Sequence, residues 1–183
     1  REEPDVVCLQ ETKVVDDLFP MSKFMPLGYK HSIIFGQKAN YGVAILSKMP
    51  FVSWEKKYWC RRSDRRHVFV TFRNGIELHN IYAPAGGYIP NPDTNPKFAH
   101  KLEFFSEITS WFQKRDVLGR SVVLVGDLNI APLPTDVWSH KKLSRVVTHS
   151  PVEVAHLNGL ARSMRWVDVI RHFVPEDKKI FTL

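Results

Sequence analysis

Twice in this 183-residue chain a run of four apolar residues breaks off at once into side chains that carry oxygen. Val6-Val7-Cys8-Leu9 ends at Gln10-Glu11, and Val122-Val123-Leu124-Val125 ends at Gly126-Asp127-Leu128-Asn129. Apolar runs this short suit strands buried on both faces. A sheet built on such strands needs cover on each side, and the remainder of the sequence has to supply it.

The cover is legible as periodicity. Phe98, Leu102, Phe105, Ile108, Thr109 and Phe112 recur at helical spacing, which predicts a helix there. A second helix is expected from Pro151 to Ser163, where Ser150 can cap it and Glu153 stands three residues on. Val14 to Met25 reads as a short, Pro-interrupted helical stretch closed by Gly28. Tyr29 to Phe35 and Gly42 to Leu46 look like a strand pair joined by the polar turn Gly36 to Asn40. His67 to Phe72, then Asn74-Gly75, then the alternating Ile76 to Ile81, form a strong hairpin signal. Tyr82 to Pro96 holds four prolines and two adjacent glycines and reads as a long surface loop, a kind of segment that commonly carries function. Strands interleaved with helices predict a layered α/β fold whose sheet is at least partly antiparallel. No repeat, low-complexity tract or linker divides the chain, so residues 1–183 are expected to form one domain.

Twenty-six Lys and Arg against nineteen Asp and Glu leave a net charge of +7. That excess suits a polyanionic partner, because neutralising phosphates releases counterions, and it suits a plain solvated basic surface equally well. No apolar run approaches the ~18–20 residues that cross a bilayer. Cys8 and Cys60 are far apart and lack zinc-ligand spacing; Cys8 lies in an apolar run, which favours a buried thiol over a disulfide. A reducing, cytoplasmic setting is the expectation.

Carboxylate and amide oxygens at strand ends suit Mg²⁺, a hard cation that prefers oxygen ligands. Glu11 follows one apolar run; Asp127 and Asn129, two apart, follow the other and could aim into one cleft. Taken alone, Gly126-Asp127 after a strand is also a common turn, and Gln10-Glu11-Thr12 is a weaker signal still. Tyr82 at a strand end could equally be a core aromatic, and Arg66 a solvated strand-edge charge.

The order of the motifs adds what each lacks alone. Leu9-Gln10-Glu11-Thr12-Lys13, Tyr41-Gly42-Val43-Ala44, Asn80-Ile81-Tyr82-Ala83-Pro84, Gly126-Asp127-Leu128-Asn129-Ile130 and Trp166-Val167-Asp168-Val169-Ile170-Arg171-His172 follow one another along nearly the whole chain. Together they resemble the exonuclease III-type apurinic/apyrimidinic (AP) endonucleases of the endonuclease/exonuclease/phosphatase superfamily. The resemblance implies a four-layer α/β sandwich of the DNase-like type, present here incompletely. It implies catalytic roles for Tyr82, Asp127 and Asn129, and metal ligation by Glu11, Asp127 and Asn129. It further implies DNA contacts from Arg66 and, less strongly, Lys97. Asp168 and His172 are expected to organise the fold rather than perform chemistry. His67, His79, His100, His140, His149 and His156 show no ligand spacing and receive no role.

The activity so implied is Mg²⁺-dependent cleavage (Mn²⁺ being the substitute ion) 5′ to abasic sites in duplex DNA, with 3′ to 5′ exonuclease activity. The partners are double-stranded DNA with abasic sites or 3′ ends, bound by a monomeric, bacterial cytoplasmic enzyme that needs no membrane. Two other readings compete. One is another phosphodiesterase of the superfamily; the other is an inactive relative that binds RNA or protein, although such relatives tend to lose the positions held here by Glu11, Asp127 and Asn129. The chain begins at Arg1, past the strand that carries the family's first metal-site asparagine. It ends at Phe181-Thr182-Leu183, before the family's final Asp-His pair. It is therefore expected to be truncated at both ends and to cleave DNA poorly by itself.

Overall fold

The computed structural model describes residues 2–115 and 120–181; Arg1, Thr182 and Leu183, on which the reading of the two ends rests, lie outside the described residues. The described residues form two compact units. One holds residues up to 82 together with 120–128; the other holds 83–115 together with 129–181.

The first unit is built of two sheets. Strands β1 (Val6–Gln10), β2 (His31–Phe35) and β3 (Val43–Ser47) form an antiparallel sheet in the order β1-β3-β2. Strands β4 (Phe51–Lys57), β5 (His67–Phe72), β6 (Glu77–Tyr82) and β7 (Val122–Asp127) follow one another across the second sheet. Three of these four pair antiparallel, and β7 joins β6 in parallel. The strand pair predicted on either side of Gly36–Asn40 is β2 and β3, and the hairpin is β5 and β6. In the hairpin turn Gly75 takes φ +84, Ile76 donates to Asn74 Oδ1, and Phe72 N–H donates to the Ile76 carbonyl.

Apolar side chains of the two sheets meet in one core of Ile33, Phe35, Val43, Ile45, Val68, Val70, Phe72 and Leu78, with Cys8, Tyr82 and Val125 packed at its margin. Each such aliphatic side chain, fully buried, contributes roughly 1.5–3 kcal/mol. The expectation for the two apolar runs needs correction. β1 and β7 are edge strands, and their residues are half-buried or exposed rather than buried on both faces. Their uniform composition reports a strand of the right length and says nothing of how many neighbours it has. Strand β4 was absent from the sequence reading, because a register shift between Phe51 and Ser53 breaks the two-residue alternation.

Between β1 and β2 the chain makes a 3₁₀ turn at Asp16–Leu18, the one-turn helix α1 (Met21–Phe24) and a further 3₁₀ turn at Met25–Leu27, closed by Gly28 at φ 94. Pro20 and Pro26 keep these turns from fusing into one helix.

The second unit is helical. It contains α2 (Pro96–Lys114), α3 (His140–Leu143), α4 (Pro151–Ser163) and α5 (Val169–Phe173). The apolar stripe of α2 buries Phe98, Phe105, Ile108 and Phe112 as expected, and α2 packs along α4. Asn95 caps α2 by accepting from the N–H groups of Lys97 and Phe98. At the start of α4, Glu153 accepts from the Ser150 N–H and from the Ser150 hydroxyl. No helix among the described residues is long and apolar enough to cross a membrane.

Candidate active site

In the first unit the site begins where β1 ends. Glu11 and Lys13 both leave the strand in the left-handed region, at φ 52 and 54. Non-glycine residues hold that conformation only when their surroundings enforce it. Here Thr12 N–H donates to the Gly42 carbonyl (3.2 Å) and Lys13 N–H to the Tyr41 carbonyl (3.0 Å), so the Tyr41-Gly42 pair clamps the turn. Gly42 sits at φ +88, and a Cβ there would stand 2.2 Å from Thr12 Oγ1. The glycine of Tyr-Gly-Val-Ala is thus required by the approach of the Glu11 turn.

The turn carries Glu11 over the end of β6, where the Tyr82 hydroxyl donates to Glu11 Oε1 at 2.6 Å. Two features fix this meeting. Buried Asn80 ties the sheets together: its Nδ2 donates to the carbonyls of Leu9 and Ala44, and its Oδ1 accepts from Gln10 Nε2. Asp127 is placed beside Tyr82 by the parallel register of β6 and β7, in which Ile81 faces Gly126 and Tyr82 faces Asp127. Gly126 has φ +129, and a Cβ on it would stand 1.9 Å from the Ile81 carbonyl oxygen. The Gly-Asp dipeptide is therefore more than a turn: its glycine permits the strand contact that aligns the aspartate.

Electrostatics assigns the protons. The Lys13 ammonium, 2.5 Å from Glu11 Oε2, and the Tyr82 hydroxyl hold the Glu11 carboxyl below its ordinary range, so it is an anion at neutral pH. Burial, then the hydrogen bond to Glu11, then the charges of Glu11 and Asp127, push the Tyr82 phenol well above its usual value. Tyr82 is a donor throughout the physiological range.

Arg66, read as a DNA contact, is only 5% exposed. Its guanidinium lies 3.9 Å from the Tyr41 ring centroid and 5.1 Å from that of Tyr82, and it donates to the Tyr82 carbonyl (3.1 Å) and to Asp64 (3.1 Å). Its side chain braces the tyrosine, and its charge reaches the phenol through the protein.

The other sequence-derived positions belong to the second unit. Asn129 has φ 52, donates from Nδ2 to the Ala83 carbonyl (3.0 Å), and accepts on its own carbonyl from Lys101 Nζ (2.6 Å). Lys97 is exposed in the first turn of α2. Asp168 caps α5 by accepting from Arg171 N–H (3.0 Å), and Arg171 reaches Asp136 and the carbonyls of Pro175 and Lys178. Two histidine chains gain partners the sequence did not announce: His67 to His79 to Glu77 in the first unit, and His140 to His149 to the Ala131 carbonyl in the second. The sequence reading also passed over Lys101 and Glu153 as a pair. The available signal was a lysine set on the apolar stripe of α2, between Phe98 and Phe105.

The donors of the first unit fit the ion that the resemblance implies. Glu11 and Asp127 offer carboxylate oxygens, the hard ligands a small divalent cation prefers. Glu11 is held ionised, and a lysine ammonium already lies against it in the manner of a counter-ion.

A family model described as "Endonuclease/Exonuclease/phosphatase family" matches residues 1–171. Exodeoxyribonuclease III of Haemophilus influenzae is 29% identical over 138 residues, which cover 74% of this chain and 51% of that protein. Among solved structures, an AP endonuclease from Archaeoglobus fulgidus superposes with a TM-score of 0.83 at 30% identity, over 93% of this chain and 64% of that one. A 3′ phosphatase from Neisseria, solved bound to product DNA hairpin, gives 0.77 at 28% identity, over 87% and 61%. The mixed α/β architecture is thus of the DNase-like type, and the chain spans about half the length of the exodeoxyribonuclease it matches.

Proposed function

Since this chain belongs to the endonuclease/exonuclease/phosphatase family, we propose that it comes from a DNA-repair phosphodiesterase that cleaves duplex DNA 5′ to abasic sites and trims 3′ ends. The observation that carries this reading is the 2.6 Å bond from the Tyr82 hydroxyl to Glu11, with Asp127 held beside Tyr82 by strand register. The relatives' names, exodeoxyribonuclease III and AP endonuclease, point to the same substrate class.

A phosphodiester repels an attacking oxygen because both carry negative charge. Mg²⁺, held by Glu11 and Asp127 with Asn129 as the third ligand, would supply charge neutralisation at the phosphate. The chain's own groups do the rest. Tyr82, kept protonated, donates a hydrogen bond to a phosphate oxygen and holds the group in line. Asp127 moves the proton, from the attacking water or to the leaving 3′ oxygen, a contribution of about 10²–10⁴-fold. Asn129 orients water or phosphate. Arg66 acts through Tyr82, while exposed Lys97 meets the backbone directly. The enzyme acts as a monomer in the bacterial cytoplasm.

The test uses the full-length protein and a duplex oligonucleotide bearing one abasic site. Incision 5′ to the site is expected with Mg²⁺ or Mn²⁺ and none with excess EDTA. Equal incision in EDTA, or wild-type rates after Glu11→Gln, would overturn the reading.

A further inference from the structure

We propose that Lys101 is a positioning residue for Asn129, and that the buried Lys101–Glu153 pair serves to hold that asparagine in place. This rests on the role given to Asn129 above. All the groups concerned lie in the second unit.

Lys101 and Glu153 are both fully buried. Taking an ammonium and a carboxylate out of water is unfavourable, and an apolar pair of the same volume is often as stable or more so. Their presence is therefore poorly explained by stability. What an apolar pair could not do is hydrogen-bond. The ammonium donates to Glu153 Oε1 at 2.5 Å, to the Asn129 carbonyl at 2.6 Å and to the Ala85 carbonyl at 3.2 Å. One side chain thus fastens two loop segments, one three residues after Tyr82 and one two residues after Asp127.

Glu153 is built as the anchor. It accepts from Thr148 N–H (3.0 Å) and Ser150 N–H (3.2 Å), so its carboxylate cannot drift from the ammonium. The loop is shaped for the lysine as well. Gly86 lies at φ +92, and a Cβ there would meet Lys101 Cδ at 2.9 Å.

Asn129 needs such a hold. Its φ of 52 lies in the left-handed region, which asparagine tolerates better than other non-glycine residues, so what has to be held is its orientation, and its Nδ2 donates to the Ala83 carbonyl to that end. Lys101 thus holds the residue by its backbone carbonyl and Ala83 holds it by its side-chain amide. An error of about 1 Å in a group that orients a reactant can cost on the order of 10²-fold in rate.

The experiment separates this role from simple support of the core. In the full-length protein, Lys101→Met alone should melt early, because Glu153 is left charged and buried. Lys101→Met with Glu153→Gln removes both charges and should recover most of the melting temperature. That double variant should still lose at least about tenfold in kcat on the abasic duplex, with KM within about threefold. A double variant with parental kcat overturns the proposal. In an Asn129→Ala background the same two substitutions should cost nothing more; a further, independent loss also overturns it, while leaving the role of Asn129 intact. If Asn129→Ala itself keeps full activity, it is the reading of Asn129 that fails. Should the double variant not fold, Lys101→Arg carries the test: lost kcat at unchanged melting temperature supports positioning, and unchanged kcat overturns it.

Discussion

Tyr82 has a carboxylate as its hydrogen-bond acceptor and a second one in register on the neighbouring strand, and both raise its pKa. Tyr82→Phe should therefore lower kcat on an abasic duplex by about 10²–10³-fold, the usual loss when one donor to a developing charge is removed. The shape of the pH–rate profile should not change between pH 6 and pH 9, because the phenol does not titrate there. Stability follows with a definite sign. The folded pKa lies above the ordinary value of 10.0. The stabilisation from this group is thus complete below about pH 10 and drains away as pH rises further. Urea titrations at pH 8 and pH 11 should show an alkaline loss in the parent that is smaller in the phenylalanine variant. Glu11, Tyr82 and Asp127 were legible in the sequence only through the order of the motifs and the resemblance it carries, since each alone also reads as a turn or a core aromatic. The burial of Arg66 was not, since it depends on Tyr41, Asp64 and Tyr82 converging from three segments.

Elements were easier to read than their surroundings. The limits of α4 and the two halves of the β5–β6 hairpin follow from local chemistry: a proline and a capping serine, an Asn-Gly turn, a two-residue alternation. What local chemistry does not contain is the number of neighbours, which is why β1 and β7 turned out to be edges. The contacts that matter between elements are polar or made by glycine. Asn80→Ala should destabilise the protein by about 2–4 kcal/mol in urea unfolding, because it leaves the carbonyls of Leu9 and Ala44 without their donor inside the sandwich. Gly126→Ala should do similar harm by forcing β7 away from Ile81. Because Asp127 would move with it, catalysis should fall even under conditions where the variant is fully folded.

For the whole molecule the main legible property was charge. With +7 at neutral pH, binding to an undamaged duplex should weaken at least about tenfold between 50 and 200 mM salt, as read by fluorescence anisotropy with the full-length protein. A binding constant indifferent to salt would remove nucleic acid as the partner that this charge serves. The division into two compact units was not legible, because each unit draws on two separated stretches of chain and no linker marks the seams. The parallel ladder that sets Tyr82 against Asp127 has a last consequence. Forty-four residues, 83 to 126, separate this tyrosine from its aspartate along the chain, yet the two face each other on adjacent strands. Side chains alternate faces along a strand. Inserting or deleting a single residue within either strand would turn the phenol or the carboxylate through half a revolution, to the opposite face of the sheet. Residues can be added to what joins the two strands without disturbing this pairing, but not within the strands themselves.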